Sequence, residues 1–214
     1  MAQRIALYVL SVFLLFHSAV SMAQESEVIN SITIETAKDY ANTRWAELNI
    51  PVGTKLITTK SPSGKVLRQL KFAGGVTISE LEKGGTLEMD HNVGGGIMCL
   101  WGLYRNVKLL MDECHREETE VREKLDVALS RLKDFIVANS LTPVTLSGLE
   151  DQFQKHIAES LQRTGKKMPD ICKGGGAQIA LQFLSTKSSW LEHFPKTLDV
   201  LLATPRPPVI NPCI

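Results

Sequence analysis

Gly94-Gly95-Gly96-Ile97-Met98-Cys99-Leu100-Trp101-Gly102-Leu103-Tyr104-Arg105-Asn106-Val107-Lys108-Leu109-Leu110-Met111-Asp112-Glu113-Cys114 is the stretch on which the architecture turns. Before it, apolar residues come in short β-favouring runs. From it onward they recur at helical spacing. The spacing predicts a helix from about Ile97 to Glu113, with Cys99, Leu100, Leu103, Val107, Leu110 and Cys114 on one stripe.

Downstream, the polar run Cys114–Glu118 marks a turn. A second helix is expected over about Thr119–Ala138, burying Val121, Leu125, Ala128, Leu132, Phe135 and Ile136. Glu118/Arg122 and Glu120/Lys124, four residues apart, would support its exposed side. A third helix starts near Thr145, where Ser147 and Glu150 have capping-box spacing, and ends at Gly165 before Pro169. Its stripe is Leu146, Leu149, Phe153, Ile157 and Leu161. A fourth runs from about Ala177 to Leu202 and is broken at Pro195, which lacks an amide proton. Short connections make this half, residues 94–204, an up-down four-helix bundle that carries the core. The proline-rich tail 205–214 cannot be helical and is expected to trail over the surface.

Upstream, residues 24–93 read as β-rich. Lys55–Thr59 and Lys65–Leu70 flank the turn Ser61-Pro62-Ser63-Gly64, and Val76–Ile78 and Thr86–Met89 each follow a glycine pair. A small antiparallel meander follows from this. Ile32 and Ile34 alternate like a strand, and Ala37, Tyr40, Ala41 and Leu48 suggest one short helix over about Thr36–Leu48, stopped by Pro51. The fold class is therefore α+β: an N-terminal meander with one short helix, then a disulfide-stapled up-down four-helix bundle.

The first 23 residues say where the chain works. Arg4 precedes an apolar run from Ile5 to Phe16 and the small-residue run Ser18–Ala23, and Ser21 and Ala23 occupy the −3 and −1 positions of a signal-peptidase site. Cleavage between Ala23 and Gln24 is expected, with export to the periplasm or the extracellular space. The apolar run is short of the roughly 20 residues that span a bilayer. No later segment qualifies, so no transmembrane segment is expected after signal removal.

Losing Arg4 leaves 23 basic against 23 acidic side chains in the mature chain. A neutral chain has no electrostatic reason to seek phosphate backbones, so nucleic acid is excluded as a partner class. An oxidising compartment makes the four cysteines a disulfide framework. Four cysteines allow three pairings. Cys99 and Cys114 lie 15 positions apart on one helix, roughly 22 Å at about 1.5 Å per residue. A disulfide needs about 4.4–6.8 Å between Cα atoms. In an up-down bundle, Cys114 lies at the same end as Cys172, and Cys99 at the same end as Cys213. The expected pairs are Cys114–Cys172 and Cys99–Cys213.

Catalytic and metal motifs are missing from the sequence. H-E-x-x-H, G-x-S-x-G, the nucleotide-binding P-loop and G-x-G-x-x-G do not occur, and no two histidines have i, i+4 spacing. No cofactor is implied. The triplets Gly94–Gly96 and Gly174-Gly175-Gly176 each precede a helix. Lys173 beside Gly174, Gly175 and Gly176 makes the second a weak anion-site candidate, set against the plainer reading of unusual dihedrals at a tight helix entry. Trp45, Trp101 and Trp190 are expected to pack in the core, with Trp101 covering a disulfide. These features point to an exported, non-catalytic protein that binds another protein or a cell-envelope component. The rival is an enzyme or small-ligand binder with a pocket between the β region and the bundle.

Overall fold

The computed structural model describes residues 27–92, 94–173 and 175–213. The expected signal segment and its Ala23/Gln24 junction lie outside the described residues. Five strands come first: β1 (Glu27–Thr33), β2 (Lys55–Lys60), β3 (Val66–Lys71), β4 (Val76–Glu80) and β5 (Thr86–Asp90). They form one antiparallel meander in chain order, with β1 and β5 at its edges. The register stacks Leu56, Leu70 and Ile78 across one face. That alternation buries them and leaves Thr77, Ser79 and Leu87 on the other face, as a period of two requires.

The helix expected over 36–48 is a 3-10 turn at Ala37–Asp39 followed by consecutive turns. Local side chains compete with the helical ladder. Asp39 accepts the amides of Glu35 and Thr36, while the Thr43 hydroxyl donates to the Tyr40 carbonyl and accepts the Trp45 amide. Backbone bonds in this segment run i to i+3, as in Leu48 to Trp45. The segment lays Tyr40, Trp45 and Ile50 over the sheet with Leu48 beside them, while Ala37 and Ala41 of the expected stripe are exposed.

Helices follow: α1 (Ile97–Cys114), α2 (Thr119–Asn139), α3 (Leu146–Thr164), α4 (Gly175–Ser185) and α5 (Lys187–Leu202), with a 3-10 turn at Met168–Cys172. The helical half has five helices where four were expected. The break falls at Thr186 and not at Pro195, which lies inside α5. Ser185 and Thr186 turn their hydroxyls back onto the Gln182 and Phe183 carbonyls and end α4. α1 packs on α2 and α4, and α2 packs on α3 and α5.

The buried face of α1 is broader than the expected stripe. Val107 and Leu110 are buried as expected, Ile97, Trp101, Tyr104, Lys108 and Met111 are buried with them, and Leu103 is 45% exposed. Aromatic contacts hold the added side: Tyr104 packs edge-on against Trp190 and Phe194, and Trp101 against Phe153. The third helix is capped by Thr145, whose hydroxyl accepts the Gly148 amide, and not by a Ser147/Glu150 box. Glu150 instead binds Arg105 and Lys133. Likewise Arg122 pairs with Asp112, and Glu118 with Lys187. Tertiary partners displace the expected neighbours on the same helix.

Two apolar cores result. One lies wholly within residues 97–201, and the other joins the sheet and residues 34–50 to Val209 from the tail. The tail is extended, as expected, but it does not trail over the surface. Arg206, Pro207 and Val209 are buried between sheet and bundle. Pro207 and the half-buried Pro208 carry no amide proton, so covering them strands no donor. The tail carbonyls then satisfy amides at the start of α1: Gly96 donates to Pro212 at 2.9 Å and Met98 to Val209 at 3.0 Å.

Cys99 is bonded to Cys213 and Cys114 to Cys172, with Cα atoms 5.3 Å and 5.5 Å apart. The first bond holds the tail on α1. The second ties the end of α1 to the 3-10 turn before α4.

Candidate functional site

A cleft of about 450 Å³ opens where the sheet meets the bundle. Its floor on the sheet side is Ile78, Thr86 and Glu88, and Arg44, Trp45 and Leu48 come from the irregular segment above. The opposite wall is Met98 of α1, Leu141 and Val144 of the connector before α3, and Pro208 and Ile210 of the tail. A hydrogen bond from the Asn49 backbone amide to the Leu141 carbonyl, 2.8 Å long, ties these two walls together. Arg44 donates to the Gly85 carbonyl at 3.0 Å.

Met98 and Ile210 also line a second, shallower groove of about 350 Å³, which runs over Trp101, Leu103 and the Cys99–Cys213 bond. Cleft and groove therefore adjoin at two shared apolar residues. Leu103 and Ile210 are 45% and 56% exposed on it. The Trp101 indole N–H is buried with no partner among the described residues.

Electrostatically the cleft is sparse. Glu88 is half-buried, and desolvation pushes its carboxyl above the usual carboxylate range. Among the described residues it has neither a hydrogen-bond nor an ion-pair partner. Carboxylates elsewhere behave differently. Burial alone would raise Asp112 and Glu150, but hydrogen bonds from Lys108 and Arg122, and from Arg105 and Lys133, outweigh it and hold both below their ordinary values.

The second glycine triplet gives an anion little. Gly174 lies outside the described residues. Gly175 opens α4, and a Cβ on Gly176 would collide with the Ile171 carbonyl, which is a packing requirement. Lys173 is 80% exposed on its side chain and faces Asp170 at 3.6 Å. The first triplet receives the tail. Gly94 and Gly95 have positive φ, and a Cβ on Gly96 would strike the Ile210 carbonyl.

The histidines are dispersed. His91 contacts the Thr77 hydroxyl, His115 faces Glu117, and His193 contacts the Ser189 carbonyl. Among the described residues no three potential metal ligands converge, and no helix is long and apolar enough to cross a membrane. Sequence reasoning did not find Glu88, Met98, Leu103 or Ile210 as surface-lining residues.

No family model, curated protein or solved structure matches the chain.

Proposed function

We propose that this is an exported, non-catalytic protein that binds another protein or a cell-envelope component through the apolar surface at the sheet–bundle junction. The observation that carries the reading is that cleft and groove adjoin at Met98 and Ile210, with exposed Leu103 beside them. An apolar surface of this kind, held by a disulfide and rimmed by polar residues, is a feature of interaction sites. The paired cysteines and the signal-like first 23 residues support export to the periplasm or beyond.

Two measurements test it. Intact mass of the protein from the extracytoplasmic fraction should begin at Gln24. Quantitative capture from that fraction should yield a partner that the wild type holds and that Leu103→Asp and Ile210→Asp lose. A partner held equally by all three forms overturns the assignment of the surface. A cytoplasmic species retaining Met1 overturns export.

A second reading has its own support. A cleft of about 450 Å³ is within the range that holds small ligands, and Glu88 is a carboxyl with a raised proton affinity inside it. A small-ligand binder or an enzyme would show saturable binding that Ile78→Glu abolishes and that Leu103→Asp leaves intact.

A further inference from the structure

The hydrogen-bond alternation along β5 turns one row of its backbone groups away from β4, to the edge of the sheet. At the β4–β5 turn Leu81 donates to the Gly85 carbonyl, and at the far end His91 donates to Gly75. Together with the register, these bonds make Ser79–Leu87 and Thr77–Met89 the hydrogen-bonded pairs. The amides and carbonyls of Thr86, Glu88 and Asp90 therefore point away from β4. The Asp90 amide is already taken, by the Asn211 carbonyl at 2.7 Å. Thr86 and Glu88 have no backbone partner among the described residues.

We propose that the open edge of β5 at Thr86 and Glu88 takes an extended segment of a partner polypeptide as a sixth strand, with a basic side chain set against the Glu88 carboxylate. The inference rests on the reading of the junction as the binding face, and it names the occupant.

Three observations favour that occupant. The tail at Asn211 already makes the first rung of such a strand on Asp90, so the edge accepts an extended chain in this place. The other edge, β1, is blunted by a bulge between Val28 and Asn30, whereas β5 pairs regularly with β4. The side chains of an added strand alternate, so those on the core face enter the cleft over Ile78, Leu48 and Met98. Within it, Glu88 is the half-buried carboxylate without a partner, while Arg44 is engaged by the Gly85 carbonyl. Main-chain bonds to an open edge supply affinity and alternate side-chain pockets supply specificity, the recognised mode of strand addition.

The probe is a short blocked peptide in which valine, lysine and valine alternate with threonine, added to the full mature chain. Amide exchange of Thr86 and Glu88 should slow when it binds. The same peptide with glutamate in place of lysine should bind about tenfold more weakly, the worth of one charge-assisted contact. A version methylated on its edge-facing amides should not bind. Glu88→Gln should erase the preference for lysine over glutamate while the bound peptide still slows exchange at Thr86.

Absence of binding overturns the proposal. So does binding without slowed exchange at Thr86 and Glu88, equal binding of the methylated peptide, or a lysine preference that survives Glu88→Gln. Slowed exchange in the protein alone, with a doubled mass in solution, assigns the edge to a second copy and equally overturns it. Any of these leaves the binding face itself standing if Leu103→Asp and Ile210→Asp still abolish partner capture.

Discussion

Arg206 and Asp90, 116 positions apart in the chain, meet across the junction as a sealed ion pair: Nε lies 2.7 Å from Oδ2, and the side chains are 1% and 0% exposed. Arg206 also donates to the Leu201 and Thr204 carbonyls and lies over the Phe135 ring. Asp90 accepts from the Asn92 side chain and amide. Its position at the end of β5 and that of Arg206 at the start of the tail make this pair a bolt between the two cores.

Removing one partner strands the other charge. Asp90→Ala is expected to lower stability by about 3–5 kcal/mol in urea unfolding, because an unpaired guanidinium stays buried. The double change Asp90→Leu with Arg206→Met should lose far less. Equal losses for the single and double changes would mean that the pair does not couple the halves.

The two disulfides should differ in what their removal loosens. Chain-entropy reasoning gives each up to about 4–5 kcal/mol, for separations of 114 and 58 residues. Replacing Cys99 and Cys213 by serine should release the tail, so that the Gly96 and Met98 amides exchange rapidly. Replacing Cys114 and Cys172 should leave those amides protected. Hydrogen exchange resolved by residue checks the contrast.

Acid stability has opposing contributions. The folded-state proton affinity of Glu88 is raised, so between its ordinary value and its folded value the native state holds more protons than the unfolded one. Its contribution to stability therefore falls as pH rises through that window. Glu88→Gln should stabilise the protein at pH 7 and not at pH 3. Glu150 is lowered, so its contribution is present above its ordinary value and is lost as pH falls through the folded one. Glu150→Gln should destabilise at pH 7, by no more than about 1 kcal/mol for a partly exposed pair, and the difference should vanish in acid. Melting curves against pH read both signs.

The two cores predict unequal fragments. The bundle core draws on no residue before Ile97, so residues 94–213 should fold as a helical unit. The sheet core needs Val209, and Asp90 needs Arg206, so residues 27–92 alone should not hold a cooperative fold. Circular dichroism melts of the two pieces test this, and a cooperative transition for the sheet piece would count against it.

What could be read in advance follows from how local each signal is. The α+β division shows in the sequence because alternation and helical spacing are properties of neighbours. So are the turn at Ser61–Gly64 and the Gly165 helix end. Helix α2 buries the residues its own spacing indicates. The misreadings arise where distant groups decide. Tyr104 and Trp101 are buried, and Leu103 is not, because aromatic partners on other helices hold the first two. Thr43 and Asp39 redirect amides that a helix would have used. The tail is buried because α1 offers free amides to its carbonyls, a fit between segments about a hundred residues apart. The candidate cleft belongs to this second kind, since it is made of five separate stretches of chain.

The placement of residues 206–213 gives the molecule a direction in time. They leave the ribosome, and any export channel, after every element that they seal. Until they arrive, Asp90 has no counter-charge, the first amides of α1 have no carbonyls, and Val209 is missing from the sheet core. A polypeptide interrupted before Arg206 therefore contains nearly all the secondary structure of the described residues and none of this closure. Only a chain translated through Cys213 can lock itself.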